Sequence, residues 1–343
     1  MKNCSMWLLL SCLLLLVGCE RRPLVEPIDS SVIKVRVLTK GITNVTKDIY
    51  NEKIPAPTIS TDILRVLFYD KSGERLLSEG FITDKEKDSE GNEVISGRVS
   101  LSPGAYRVMT YNFDTPSTLV RDLEKWHTAT AYTSPISVAL HEQLSNRGEQ
   151  KNPIYYEPDH FLVGRNAELM VDVHEETKVI ELNTETIVDT YYIQIRVKNI
   201  EQAATARAVL TGLSSSNRFG DNVRDDETSS AIFIELVKSV DERIEEENKD
   251  VICAVFNTFG RIEDAPSNLH ITFNVVTRAG ETVEKEIDMT PVFATEDARK
   301  RHWLLIKEVW ELPEPEKPNA SGGGGFNPEV NDWGEVEETI PIV

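Results

Sequence analysis

The chain has 343 residues, of which 57 are acidic and 37 basic, giving a formal net charge of −20 at pH 7. Such an acidic balance argues against a nucleic-acid partner, because phosphate binding depends on clustered basic side chains. The length indicates about two domains. Three of the four cysteines lie within the first 19 residues. Cys253 therefore has no partner for an internal disulfide, and we expect a buried, inert thiol in the apolar run 251–256.

The N-terminus has the pattern of an export signal. A single Lys2 precedes an apolar run from Met6 to Val17, and a short basic start, about 7–15 apolar residues and small residues at the cut define such signals. The run is too short to span a membrane, which takes roughly 20 apolar residues. One interpretation of this pattern is an ordinary secreted protein with a chance cysteine at position 19, and the other is a lipid-modified protein.

The run ends in Leu16-Val17-Gly18-Cys19, which resembles the bacterial lipobox. That resemblance implies that residues 1–18 are a lipoprotein signal peptide, and that Cys19 receives a diacylglycerol on its thiol and an acyl chain such as palmitate on its new amine. Two or three long acyl chains hold a protein on a bilayer almost permanently. Residues 19–32 would then form a lipidated leash.

Alternating apolar residues predict strands in the first half of the mature chain, at 33–38, 63–69, 74–83 and 169–173. Residues 40–60 are predicted to be a polar loop. Residues 84–93 are acidic, but they do not match the twelve-residue calcium-ligand pattern, so we predict a solvated hairpin tip. Residues 135–165 are predicted to be largely irregular.

The clearest local pattern is Arg98 to Asn112, which reads as strand, turn and strand around Pro103-Gly104. Proline presets φ for a turn and glycine accepts positive φ, so the pattern predicts a β-hairpin. After it, Leu119, Leu123 and Trp126 fall at helical spacing and predict a short packed helix over 117–127.

The second half continues in the same way, with strands predicted at 179–187, 191–197, 206–213, 232–236, 251–256, 269–275, 283–289 and 303–312. Residues 214–230 are predicted to be a polar loop, and 241–250 a long acidic turn. Many short strands separated by turns predict an all-β fold of two tandem β-sandwiches. The acidic break near 174–176 places the domains at 33–175 and 176–313.

Residues 314–343 form a Pro-rich and then Gly-rich tail. The Pro-rich part is typical of a stiff linker and the Gly-rich part of a flexible one. The end of the tail nevertheless keeps apolar side chains that disordered segments usually lack. We predict a subunit-contact tail that docks on its own domain or adds a strand to another subunit. Its candidate contact residues are Phe326, Val330, Trp333, Ile340 and Ile342.

Patterns for catalysis are missing from the sequence. The six histidines show no i,i+2 or i,i+4 pair, so no zinc motif is indicated, and there is no Gly-x-Ser-x-Gly elbow. Ser31-Val32-Ile33-Lys34 lies in an alternating segment, where Ser31 and Lys34 point to opposite faces. We therefore expect no catalytic residue, no metal and no cofactor, and a protein that is not an enzyme.

Several short motifs occur in order along the chain: Glu20-Arg21-Arg22-Pro23-Leu24 after the lipobox, Leu101 to Val108 before Tyr111-Asn112, Gly212-Leu213, Asn257 to Gly260, Asp288-Met289-Thr290, and Leu312-Pro313 before the Gly-rich tail and Trp333. With them the mature chain resembles the Bacteroidales fimbrillin-type lipoproteins, near the anchor and accessory subunits of type V fimbriae. This resemblance implies two transthyretin-like Greek-key β-sandwiches and a surface-exposed, lipid-anchored place in the outer membrane. It also implies fimbrillin-like subunits as partners.

Polymerising members of that family lose their first strand to an arginine-specific protease, and a neighbour's strand fills the groove. Here Arg36 lies inside the first strand, and residues 40–60 contain lysines but no arginine. This departure favours an anchor or accessory subunit that keeps its first strand, with a cut at Arg65 as the remaining alternative.

The rival hypothesis is a surface glycan-binding lipoprotein of a polysaccharide-uptake system. Such a protein needs exposed, coplanar aromatic rings. Trp126, Trp303, Trp310 and Trp333 are the candidates, and the first three are predicted to be packed in the cores.

Overall fold

The computed structural model describes residues 31–39, 49–50, 57, 61–144, 153–172, 178–226, 229–262 and 269–314. Cys19 and the tail residues Phe326, Val330, Trp333, Ile340 and Ile342 lie outside this part of the chain. The described residues form strands almost throughout, so the all-β prediction is confirmed.

The strands of the first half are β1 (Ser31–Leu38), β2 (Leu64–Asp70), β3 (Leu76–Ile82), β4 (Asp84–Lys87), β5 (Glu93–Leu101), β6 (Gly104–Asn112), β7 (Thr118–Arg121), β8 (Thr130–Thr133), β9 (Ile154–Tyr155), β10 (Leu162–Val171) and β11 (Lys178–Thr186). The strands of the second half are β12 (Asp189–Lys198), β13 (Ala203–Ser214), β14 (Ser216–Arg218), β15 (Val223–Arg224), β16 (Ser229–Val240), β17 (Asp250–Thr258), β18 (His270–Thr277), β19 (Thr282–Asp288) and β20 (Trp303–Glu311). The helices are α1 (Val138–Leu144), α2 (Thr290–Phe293) and α3 (Glu296–Arg301), with 3-10 turns at Trp126–Thr128 and Ile200–Gln202.

The first sheet has the order β3-β2-β6-β10-β11-β1-β5-β4 and curls around one apolar core. In β1 the alternation places Ile33, Val35 and Val37 in that core, fully buried. The same strand pairs parallel with β11 and antiparallel with β5, so it lies inside the sheet and not at its edge.

The predicted hairpin at 98–112 is wrong in its pairing. Strands β5 and β6 flank the Pro103-Gly104 turn, but β5 pairs with β1 and β4, whereas β6 pairs with β2 and β10. Strand β6 is buried on both faces, with Val108 in the first core and Met109 and Tyr111 in a second cluster. Strand β6 therefore has a paired strand at each edge and packing on both faces. The Pro103-Gly104 turn carries the chain from one layer of the sandwich to the other.

The second sheet has the order β19-β18-β13-β16-β17-β12-β20 and encloses the larger core. Cys253 is buried and free on β17, as predicted. Trp303 and Trp310 are also buried, as is Trp126 in the first half. Helices α2 and α3, which the sequence patterns missed, pack beside β20, and the Thr295 hydroxyl accepts the Ala298 N–H to cap α3.

A small third sheet, with the order β15-β14-β8-β7, joins the two halves of the chain. Strands β7 and β8 come from the first half and β14 and β15 from the second, and Ser216 pairs with Tyr132. The helix predicted over 117–127 is therefore wrong, because Thr118 to Arg121 pair with β8 and Asp122 turns the chain at φ 57°. The predicted loop at 214–230 likewise contains two short strands.

An aromatic cluster fills the space between the first sheet and the small sheet. The Tyr111 and Phe161 rings stack at 5.5 Å, and Phe219 meets them edge-on at 5.3 and 5.4 Å. The Trp126 indole N–H donates to Asp221 at 3.1 Å. Residues from both halves thus share one buried cluster.

The segment between β8 and β10, described at 134–144 and 153–161 and here named the excursion, packs on the second sandwich. Strand β9 pairs parallel with β16, and Ile136 and Ile154 pack against Val209 and Phe233. Conversely, β11 belongs to the first sheet although it follows residue 175. We therefore propose that the boundary lies at 187–188 instead, with the excursion belonging spatially to the second domain.

The close contact beneath the small sheet predicts the effect of Gly220→Ala. A Cβ at this position would lie 2.0 Å from the Trp126 carbonyl oxygen, and backbone cannot yield as a side chain can. Overpacking costs typically 1–3 kcal/mol, so we expect a loss of at least about 2 kcal/mol in the free energy of unfolding, measured by denaturant titration. Gly91→Asn is the control, because nothing lies within 4 Å of Gly91 and Asn tolerates its left-handed backbone. Equal stability of the two variants would contradict the packing described here.

Candidate subunit contact surfaces

Strand β1 is held mainly by burial. Each fully buried aliphatic side chain stabilises by roughly 1.5–3 kcal/mol, and three of them line the inner face. On the outer face Lys34 lies 2.8 Å from Glu86, and Arg36 contacts Glu86 and Glu181. Such exposed ion pairs add about 0–1 kcal/mol each. Removal of β1 would open an apolar slot along the middle of the first sheet.

The two arginines considered as cleavage sites are both in paired strands. Arg36 has backbone partners on β5 and β11, and its side chain is 26% exposed. Arg65 lies on β2 between β3 and β6. A protease needs an accessible, extended backbone, and neither position offers one in the folded chain.

Four strands form the ends of the two large sheets, and three of them carry charges that discourage pairing with another chain. Strand β4 consists of charged residues alone, β19 carries Glu284, Lys285 and Glu286, and β20 carries Lys307, Glu308 and Glu311. Strand β3 reads Leu-Leu-Ser-Glu-Gly-Phe-Ile, with one charge in seven residues. By this criterion β3 is the least protected of the four end strands of the two large sheets.

Exposed aromatic side chains lie beside the β3 edge. Phe81 is 51% exposed and Phe113 is 47% exposed, with ring centroids 5.1 Å apart and planes at 64°. The Arg65 guanidinium lies 5.8 and 5.7 Å from the two rings, and it also donates to Glu79 and to the Tyr111 hydroxyl. We name Arg65, Phe81 and Phe113 the edge cluster. Aromatic and arginine side chains dominate the binding energy of many protein interfaces.

A cavity of about 410 Å³ opens between the first sheet, the end of the excursion and β17. Glu157 lies in it, and its carboxylate accepts the Asn257 N–H at 2.9 Å. Burial raises the pKa of Glu157 to about 7 and lowers the pKa of His160. Asp159 accepts the Ser117 and Thr118 N–H groups at 2.6 and 2.7 Å. Among the described lining residues, His160 is the only aromatic side chain.

The described residues contain no group of three or more His, Cys, Asp and Glu side chains that could hold a metal ion. None of their helices has both the length and the apolar character needed to cross a membrane. The predicted lipid site at Cys19 and the predicted tail contacts lie outside these residues, so they remain predictions.

Known proteins resemble the chain over almost its whole length. It is 26% identical to a Bacteroides ovatus protein provisionally named fimbrium anchoring subunit Fim4B, over 97% of each chain. A crystal structure of a Bacteroides ovatus protein provisionally described as an adhesin has 21% identity and a TM-score of 0.55, covering 88% of this chain and 99% of that one. The fimbrial anchor protein Mfa2 of Porphyromonas gingivalis has 11% identity and a TM-score of 0.44, covering 80% and 88%.

The full-length likeness to the Fim4B protein confirms the resemblance to fimbrial anchor proteins that the sequence motifs indicated. The likeness to the Bacteroides ovatus crystal structure confirms the fold of two β-sandwiches. A family model also matches residues 44–234, more than half of the chain. The chain belongs to the family described as a domain of unknown function, DUF5119.

Proposed function

We propose that this protein is a non-enzymatic anchor or accessory subunit of a surface fimbria, held in the outer membrane by lipid on Cys19 and exposed at the cell surface. The observation that carries the proposal is the buried, two-sided pairing of β1 in the first sheet. The full-length likeness to a provisionally named fimbrium anchoring subunit supports it.

The pairing of β1 suits a subunit that ends a fibre. An open slot in a sheet is a template for a neighbour's strand, and a slot filled by the chain's own strand cannot accept one. A subunit of this kind joins other fimbrillin-like subunits through other surfaces. We propose the tail and the β3 edge with its edge cluster for those contacts.

The glycan-binding alternative needs flat, exposed rings, and the observations favour it less. The exposed pair Phe81 and Phe113 meets at 64° and brackets an arginine. Trp126, Trp303 and Trp310 are buried. A binding screen of the purified protein against polysaccharides separates the two functions, since the fimbrial role requires no glycan.

The lipid anchor is tested by Cys19→Ala, with Cys12→Ala in the signal segment as the matched control. We expect Cys19→Ala to move the protein from the membrane pellet to the soluble fraction, because the acyl chains supply the attachment. Cys12→Ala should leave it in the pellet. Fractionation and immunoblotting measure this, and a membrane-bound Cys19→Ala protein would refute the anchor.

The β3 edge is tested by the double variant Leu77→Lys and Phe81→Lys. Lysines on an edge strand oppose the addition of a strand from another chain. We therefore expect the number of fibres attached to cells, counted by electron microscopy, to fall at least about tenfold. A tenfold loss corresponds to about 1.4 kcal/mol of binding free energy, which the loss of one interface hot spot can supply. Val237→Lys is the control, because Val237 is also 51% exposed but lies on β16 inside the second sheet. Unchanged attachment in the double variant would exclude β3 as the contact.

The tail is tested by deletion of residues 319–343. If the tail binds another subunit, we expect the deletion to weaken fibre attachment, because it removes the apolar side chains that make the contact. If the tail instead seals its own domain, we expect the deletion to lower the midpoint temperature of thermal unfolding. Fibre counts and thermal denaturation of the same preparation tell the two roles apart. Both readouts staying at the wild-type value would remove the tail from the proposal.

A further inference from the structure

The end of the excursion is fastened to the second sandwich by polar contacts to one residue. Asn257 on β17 donates its backbone N–H to the Glu157 carboxylate at 2.9 Å and its side-chain amide to the Pro158 carbonyl at 3.0 Å. The Thr190 hydroxyl donates to the Asn257 side-chain oxygen at 2.9 Å and fixes its orientation. The excursion therefore meets the second sandwich here through a carboxyl group and a carbonyl.

The described residues that line the cavity include no lysine or arginine, so none of them offers the Glu157 carboxyl a cationic partner. The charges that act on Glu157 are those of Asp159, on its own segment, and Glu235, on β16. Asp114 lines the opposite wall, where it accepts the Thr61 hydroxyl and the Asp62 N–H, each at 2.8 Å. His160 completes the titratable set, and burial favours its neutral form.

A half-buried carboxylate in a cavity lined by other carboxylates costs more to ionise than one in water, whereas the neutral acid carries no such cost. The cost is present while the excursion lies on the second sandwich, and it falls when detachment exposes Glu157 fully to water. We propose that Glu157 is a proton-operated latch: the protonated carboxyl holds the excursion against β16 and β17, and loss of the proton weakens that attachment.

The direction of the pH dependence follows from linkage. The pKa of Glu157 is about 7 in the attached state, against the ordinary 4.5 of a solvated glutamate. The attached state therefore binds the proton more tightly, so attachment is strongest below about pH 4.5 and weakens as the pH rises towards and through 7. Between pH 5 and pH 8 we expect the attachment equilibrium to fall roughly ten- to a hundredfold.

Hydrogen exchange on the full chain tests the latch, with rates corrected for the intrinsic pH dependence of amide exchange. Between pH 5 and pH 8, peptides covering 153–162 should lose protection against exchange roughly ten- to a hundredfold, whereas peptides from β12 should keep their protection. In Glu157→Gln the side chain stays neutral, so protection of the same peptides should not change across this range. Glu235→Gln is the matched control, since it removes a neighbouring charge but keeps the titrating group and hence a pH dependence.

Two results would overturn the latch. One is wild-type protection of the excursion that stays flat from pH 5 to pH 8, a measurement that needs no variant to fold. The other is a Glu157→Gln protein whose protection follows the wild-type pH curve. The latch does not depend on the fimbrial role, so neither result bears on the proposed function.

Discussion

The structure depends on hydrogen bonding between strands that come from opposite halves of the chain. Strand β8 pairs with β14, and β9 pairs with β16, so each sandwich is completed or covered by residues of the other half. Between them lies the aromatic cluster around Tyr111, Phe161 and Phe219. Two sandwiches joined only by a linker would turn freely, whereas these are joined by backbone pairing on two sides and a buried cluster between.

In the anchoring role proposed above, the protein would be anchored at one end and pulled at the other, and the joining of the two sandwiches would carry that load. The lipid anchor proposed at Cys19 lies 12 residues before the start of β1, and the tail follows β20, so a load would enter at a strand inside the first sheet and leave at the second sandwich. The load would cross the small sheet and the excursion in addition to the covalent link at 187–188. Backbone pairing across this junction would spread the load over several hydrogen bonds.

Much of the fold could be predicted because long strands with one buried face repeat with a period of two. Strands β1, β11 and β18 follow that rule. Strands β7, β9, β14 and β15 have two to four residues each, too few for a period, and the sequence patterns missed them. The wrong prediction that the two strands of 98–112 pair with each other has another cause. Alternation of apolar residues shows which face of a strand is buried, but it does not show which strand is its neighbour.

The candidate surfaces were harder to predict. Phe81 lies on β3 and Phe113 directly follows β6, and only the order β3-β2-β6 brings them to the same arginine. Glu157 lies in an irregular stretch without any period, and its partner Asn257 follows 100 residues later. The exposed β3 edge could have been predicted from charge. The sequence shows the contrast between Asp-Lys-Glu-Lys in β4 and the largely apolar β3.

The parallel pairing of β1 with β11 has a consequence for the order of folding. The two strands are about 145 residues apart in sequence, as the Arg36–Glu181 contact shows, and pairings so distant form slowly. A chain that enters its compartment N-terminus first must therefore hold β1 with one partner or none until residues 178–186 arrive. During that interval the first sandwich is incomplete. Strand β1 then competes with any other extended segment for the position beside β5.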